Sequence, residues 1–258
     1  MFTLLIVGCG VLGLVIGSFL NVVIYRVPLH MSIVSPRSSC PSCHASILER
    51  DNIPVLSWLI LGGKCRSCRR PISVRYPLVE LACGALFAGV AAREGFNWDV
   101  PALLIFVAGL LALASIDLER LILPKSVVYF TLGLLVAAFV LDAGVTDQWH
   151  RFLVAGLCAA GWFIAFFGLN FVSPRYLGFG DVRLSLVLGL ALGWLGIRYV
   201  ILGFFAANLI GAIIGVTLIA MKKMSRDQPI PFGVFLSLGA ALAIYAGPEL
   251  LIPFQRFS

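Results

Sequence analysis

Charge is what this sequence has least of. Only 12% of its 258 residues are charged and 60% are hydrophobic, whereas soluble domains carry about 25% charged residues. Water is therefore excluded as the main solvent. No internal repeat or low-complexity tract is evident, and only one polar stretch, residues 26–75, is of any length. The first apolar run, Thr3 to Tyr25, contains no charge and no small-residue cleavage site followed by a soluble body. It reads as a retained helix rather than a removed signal peptide.

What is present is a series of hydrophobic runs long enough to cross a bilayer core. The expected spans are 3–25, 76–92, 101–117, 123–141, 152–172, 183–196, 199–221 and 232–252. Residues 184–221 cannot be one span, because 38 residues of helix measure about 57 Å against a core of about 30 Å. A break near Gly196 and Arg198 gives about eight spans. The expected fold class is thus all-α, a polytopic membrane helical bundle with a small cytoplasmic segment at 26–75.

The basic residues orient the bundle. With 26–75 in the cytoplasm, fifteen Lys and Arg lie on that side, among them Arg175 and Arg226. Four lie opposite: Arg93, Arg151, Arg198 and Arg256. This positive-inside bias turns both termini outward. Anionic headgroups of the lipid bilayer account for the net charge of +7, so no nucleic acid is implied.

Four of the seven cysteines form two turns, Cys40-Pro-Ser-Cys43 and Cys65-Arg-Ser-Cys68, with 21 residues between them. Such pairs can offer four thiolates to one tetrahedral zinc ion, as in zinc ribbons. A metal would also explain how a segment of about fifty residues folds, since metal binding supplies folding free energy. Two other readings stand beside this one. A disulfide pair is opposed by the reducing cytoplasm, and a redox role is the other use of C-x-x-C. His44 could substitute as a ligand, though directly after Cys43 it better suits a role behind the ligands or at the surface; His30 and His150 are assigned nothing. Cys9, Cys83 and Cys158 lie in apolar helices and read as packing residues.

Ionisable groups at the edge of a span cost about 2.5–3.5 kcal/mol each and call for a reason. Asp117 closes one run and Asp181 opens another, both toward the cytoplasm and 64 residues apart. Asp181 follows Gly178-Phe179-Gly180, where glycines allow a sharp turn and a close backbone approach. Its bland reading is a helix N-cap. Asp117 sits at the unfavourable end of the helix dipole, and its bland reading is an ion pair with Arg120 at i+3. A carboxylate dyad of Asp117 with Asp181 is the catalytic alternative, since two close carboxylates share one proton and can hydrolyse a peptide without metal. Glu80, inside the second span, either meets a substrate amine or caps a polar network. Asn21 and Arg26 are expected to fix the first helix at the interface, with Arg26 snorkelling to headgroups.

Together the motifs resemble the type IV prepilin peptidases over almost the whole chain. They are Gly17-Ser18-Phe19-Leu20-Asn21 through Arg26, the two Cys pairs, Asp51-Asn52-Ile53-Pro54 and Arg75-Tyr76-Pro77-Leu78-Val79-Glu80. Asp117 with Leu123-Pro124, Gly178 through Leu184, and Pro231-Phe232-Gly233 complete the set. Lys125 stands where that family usually has an acidic residue, and Arg183 where Lys is frequent. The resemblance implies an intramembrane-type aspartyl protease with catalytic Asp117 and Asp181. It would cleave type IV prepilins or pseudopilins after a glycine at the leader's end, in the bacterial inner membrane. It also implies N-methylation of the new terminus with S-adenosylmethionine as cofactor, an activity linked to the polar segment, although no glycine-rich cofactor loop is recognisable in 26–75. The expected domains are 1–25, a first transmembrane helix; 26–75, with Cys40, Cys43, Cys65 and Cys68 as zinc ligands; and 76–258, the protease bundle. Two competing functions are a membrane thiol oxidoreductase and a non-enzymatic transporter or scaffold. Neither the substrate prepilins nor the oligomeric state follows from the sequence.

Overall fold

The computed structural model describes residues 1–172, 177–223, 225, 228 and 230–251; Arg175, Arg226 and Arg256 of the charge balance lie outside them. Among the described residues there are nine α-helices. They are α1 (Phe2–Arg26), α2 (Leu56–Ile60), α3 (Arg75–Glu94), α4 (Val100–Arg120), α5 (Lys125–Thr146), α6 (Trp149–Val172), α7 (Phe179–Leu195), α8 (Ile197–Ala220) and α9 (Phe232–Leu251). Every expected run coincides with a helix. Seven are long and apolar enough to cross a membrane: α1, α3, α4, α5, α6, α8 and α9. The exception, α7, has 17 residues and spans about 26 Å.

Helix ends follow local chemistry. Pro101 occupies the first turn of α4, where its missing N–H costs nothing. Leu121 closes that helix in the left-handed region, with its N–H bonded to Asp117 O at 2.8 Å. The break between α7 and α8 falls at Gly196, at φ 129° and ψ 155°, a conformation that favours glycine.

The chain divides into two compact units, Met1–Phe96 and Asn97–Ser258. In the first, α1 lies against α3 through small residues. A Cβ on Gly13 would come 2.6 Å from Cys83 O, and one on Gly17 would come 2.7 Å from Glu80 Cα. Such close approach is how helices associate where lipid offers no hydrophobic drive. Asn21 Nδ2 donates to Tyr76 O at 3.0 Å across the same pair. Arg26 does not snorkel. It is buried, and its guanidinium donates to Ser32 O at 2.9 Å and Pro36 O at 2.8 Å, because those loop carbonyls need a donor more than the headgroups do.

In the second unit α7 is buried on nearly every side. Gly189 and Gly193 bring it onto α6, where a Cβ would lie 2.6 Å from Ala159 Cα and 2.7 Å from Cys158 Cβ respectively. Gly203 of α8 and Gly239 of α9 meet backbone to backbone. At the C-terminal end of α7, Arg151 donates to Trp194 O from Nε and Nη2 at 3.2 and 3.1 Å. Its guanidinium also lies 4.9 Å over the Trp194 ring, whose indole stacks on Phe139 at 4.5 Å.

Candidate active site

Three helix ends of the second unit build the site. Asp117 lies in the last turn of α4 and is 5% exposed; Asp181 lies in the first turn of α7 and is 8% exposed. The two are near enough for the charge of Asp117 to act on Asp181. The third end is the start of α9. The backbone N–H groups of Val234 and Gly233 are directed at the Asp117 carboxyl, while Asp117 Oδ2 is buried with no hydrogen-bond partner among the described residues.

Glycines make the approach possible. A Cβ on Gly233 would lie 2.9 Å from Asp117 Oδ2 and 3.1 Å from Leu123 Cδ2. One on Gly180 would lie 2.9 Å from Leu123 Cβ, and one on Gly178 would lie 3.2 Å from Asp181 Oδ2. Leu123, in the short link between α4 and α5, thus fills the space between the glycines of α7 and α9.

Neither bland reading describes the aspartates. The N-cap of α7 is Gly178, and Asp181 is the third residue of the helix, reached by the backbone N–H of Gly178. Arg120 is exposed and no ion pair joins it to buried Asp117. A buried carboxylate oxygen without a donor carries a desolvation cost of about 1–3 kcal/mol or more, and such orphans are rare enough to need a functional explanation.

The four cysteines meet in the first unit. Their sulfurs all lie within 4.8 Å of one another and could hold a metal ion. Cys40 Sγ is 3.8 Å from Cys68 Sγ, and Cys43 Sγ is 4.0 Å from Cys65 Sγ. A tetrahedral set at Zn–S 2.3 Å has edges of about 3.8 Å. Each pair sits on the same kind of backbone knuckle. Cys40 N donates to Ala45 O and His44 N to Cys40 O; Cys65 N donates to Arg70 O and Arg69 N to Cys65 O. His44 and Arg69 hold the matching left-handed position, at φ 57° and 59°. Isolated bridges Ser39–Ser46 and Lys64–Pro71 close the two knuckles. His44 is therefore a turn residue.

The backbone N–H groups of Ser42 and Cys43 hold the Cys40 thiol down at about 6, in thiolate form at neutral pH. Cys43 receives the N–H of Ala45, yet burial and the neighbouring sulfurs push it up to about 11. All seven cysteines are free, and Cys83 is fully buried among apolar groups.

Residues 11–93 match the Bacterial Peptidase A24 N-terminal domain and residues 104–216 the Type IV leader peptidase family. A Prepilin leader peptidase/N-methyltransferase of Stutzerimonas stutzeri is 36% identical over 96% of this chain and 93% of its own. The chain belongs to the type IV leader peptidase family. Proteins of the same description from Pseudomonas aeruginosa and Myxococcus xanthus are 34% and 42% identical, over 96% and 86% of this chain and 92% and 67% of theirs. No solved structure matches. In this leader peptidase family member the N-terminal match contains the four cysteines and the second match contains both aspartates.

Three features escape a reading of the sequence, wholly or in part. Leu123 belongs to the motif set, but its packing between Gly180 and Gly233 has no sequence signal, because an apolar residue in an apolar chain offers no contrast. Glu80 is another in its detail: Oε2 accepts the Val55 N–H at 2.7 Å, so it serves a polar network. The third is a second buried carboxylate pair in the second unit, Asp99 and Asp142, whose signal was an aspartate just beyond the run 123–141.

Proposed function

We propose that this membrane enzyme removes the basic leader from type IV prepilins or pseudopilins, with Asp117 and Asp181 as its catalytic pair. The observation that carries the reading is the convergence of two buried carboxylates, one with an orphaned oxygen, between glycine-bearing helix ends. An extended substrate can lie against glycine backbone closely enough to bring its scissile carbonyl to the carboxyls.

One carboxyl holds a proton and donates a hydrogen bond to the scissile carbonyl oxygen. The ionised one draws a proton from a water molecule, whose oxygen attacks the carbonyl carbon. The tetrahedral intermediate collapses as the C–N bond breaks and the leaving amine takes up a proton. The pair then returns to its one-proton state. The N–H groups of Val234 and Gly233 orient Asp117 throughout.

Cys40, Cys43, Cys65 and Cys68 fit zinc by donor type and spacing. These four thiolates would hold the ion, and a site filled by four protein ligands would contribute to the fold of 26–75 rather than to hydrolysis. Methylation of the new terminus with S-adenosylmethionine is proposed on the family relationship alone. Residues 26–75 hold the two cysteine knuckles and α2 but no glycine-rich loop of the cofactor-binding kind. The positive-inside balance supports the bacterial inner membrane with 26–75 and the aspartates at the cytoplasmic face.

Incubation of the protein in liposomes with a prepilin tests the activity by mass spectrometry. Two products, the leader and a mature chain, support it. An uncut prepilin contradicts it and returns the aspartates to a transport or scaffold role.

A further inference from the structure

Between the two metal knuckles the chain makes a tight reversal. Leu56 N donates to Pro54 O at 2.6 Å, and Val55 sits at φ 62° and ψ −50°, a γ-turn geometry that is rare and strained, more so for a β-branched residue. Something holds it there. The Val55 N–H is taken by Glu80 Oε2 at 2.7 Å, and Ser18 of α1 also bonds the Glu80 carboxyl.

Those partners set a depth. Glu80 is the sixth residue of α3, about 7.5 Å along the axis from Arg75, in a helix long and apolar enough to span. Ser18 lies eight residues before Arg26 at the end of α1, about 12 Å from it. Val55 therefore reaches past the ends of two spanning helices, into the layer where headgroups give way to acyl chains.

The backbone is prepared for that layer. Pro54 has no N–H, and its neighbours are satisfied within the protein. Ile53 N donates to Ser57 Oγ at 3.0 Å, Ser57 N to Ile53 O at 3.1 Å, and Ser57 Oγ to Arg50 O at 3.0 Å. Irregular backbone enters a bilayer only when its polar groups are paired in this way. The side chains that follow are apolar and uncovered: Leu56 is 55% exposed, Leu59 60% and Ile60 78%. Exposed Arg50 and Lys64 flank them, in a segment with eight basic and two acidic residues over 26–75.

We propose that α2 is an interfacial membrane anchor. Leu56, Leu59 and Ile60 insert among acyl chains, Arg50 and Lys64 meet anionic headgroups, and Glu80 pins the turn that carries them down. The occupant of this apolar face is the lipid bilayer, by depth and by charge complementarity. The anchor fixes the metal-binding segment against the surface and does not depend on the peptidase reading.

A fluorescent non-natural amino acid at Ile60, in the full chain in nanodiscs of phosphatidylcholine with phosphatidylglycerol, tests this. A second protein carries the label at Ser42, in the exposed part of the first knuckle. Lipids brominated near the headgroup are expected to quench most of the Ile60 emission and to leave the Ser42 label bright, with one protein per disc and no substrate. Replacing Glu80 by Ala is expected to reduce the quenching at Ile60 while the helical circular dichroism is kept. An Ile60 label that stays unquenched and water-exposed overturns the proposal. So does protection that arises only with two proteins per disc, or only on adding a prepilin, since the face then belongs to a second copy or to the substrate.

Discussion

A methyl group on Gly233 would lie 2.9 Å from Asp117 Oδ2 and 3.1 Å from Leu123 Cδ2, so even alanine there must displace the carboxyl or the leucine. Gly233→Ala is expected to lower leader cleavage by at least about tenfold, equivalent to about 1.4 kcal/mol of barrier. The loss of stability is expected to stay within about 1–3 kcal/mol; initial rates and thermal melts on the same preparation check both. Val55→Gly tests the opposite situation, a residue under strain. It is expected to leave the segment as stable or to raise its stability by up to about 1 kcal/mol, read as slower hydrogen exchange at Ser57 and Leu59. Asp117, Asp181 and Glu80 stood out in the sequence because a charge in an apolar run has a cost that demands a cause. Their partners did not. Glu80 binds a backbone N–H, and Asp117 faces two more, and no pattern of side-chain types reports which amide a carboxyl will meet.

The two cysteine knuckles share Cys, one Ser and little else, yet they repeat hydrogen bond for hydrogen bond. That repeat was invisible in the sequence because sulfur geometry and a left-handed residue directly after the second cysteine impose it, whatever the side chain at that position. Cys40→Ser or Cys65→Ser is expected to abolish metal binding and unfold 26–75, seen as lost zinc by elemental analysis and as new protease sensitivity; a segment equally resistant without metal would contradict it. Arg66 ties the second knuckle to the turn before α2, its Nη2 2.6 Å from Asp51 Oδ1. The Arg66 guanidinium holds the Asp51 carboxyl below its usual range. The folded segment thus binds that proton more weakly than the unfolded chain. The pair's contribution is complete above an ordinary carboxylate value of about 4 and is lost as pH falls through the lowered one. Asp51→Asn is expected to remove this acid sensitivity from the segment's melting profile. Helix α2 was not legible, since five residues give no periodicity, whereas Gly196 and the limits of bilayer thickness were enough to divide α7 from α8.

For the whole molecule, the number and course of the long helices followed from run lengths and scarce charge. What the runs did not convey is packing: α7 is apolar all round because it is enclosed by its neighbours, and the glycines that admit it are spaced like glycines elsewhere in the chain. Family membership ties the fold to leader peptidases over nearly the full length. In the proposed mechanism the chemistry rests on two carboxylates acting as one unit, and leader cleavage by Asp117→Asn and Asp181→Asn proteins, each reconstituted at wild-type helicity, tests that directly. Each variant alone is expected to reduce cleavage to background, and the double variant to add nothing further. Normal cleavage by either one would contradict the dyad.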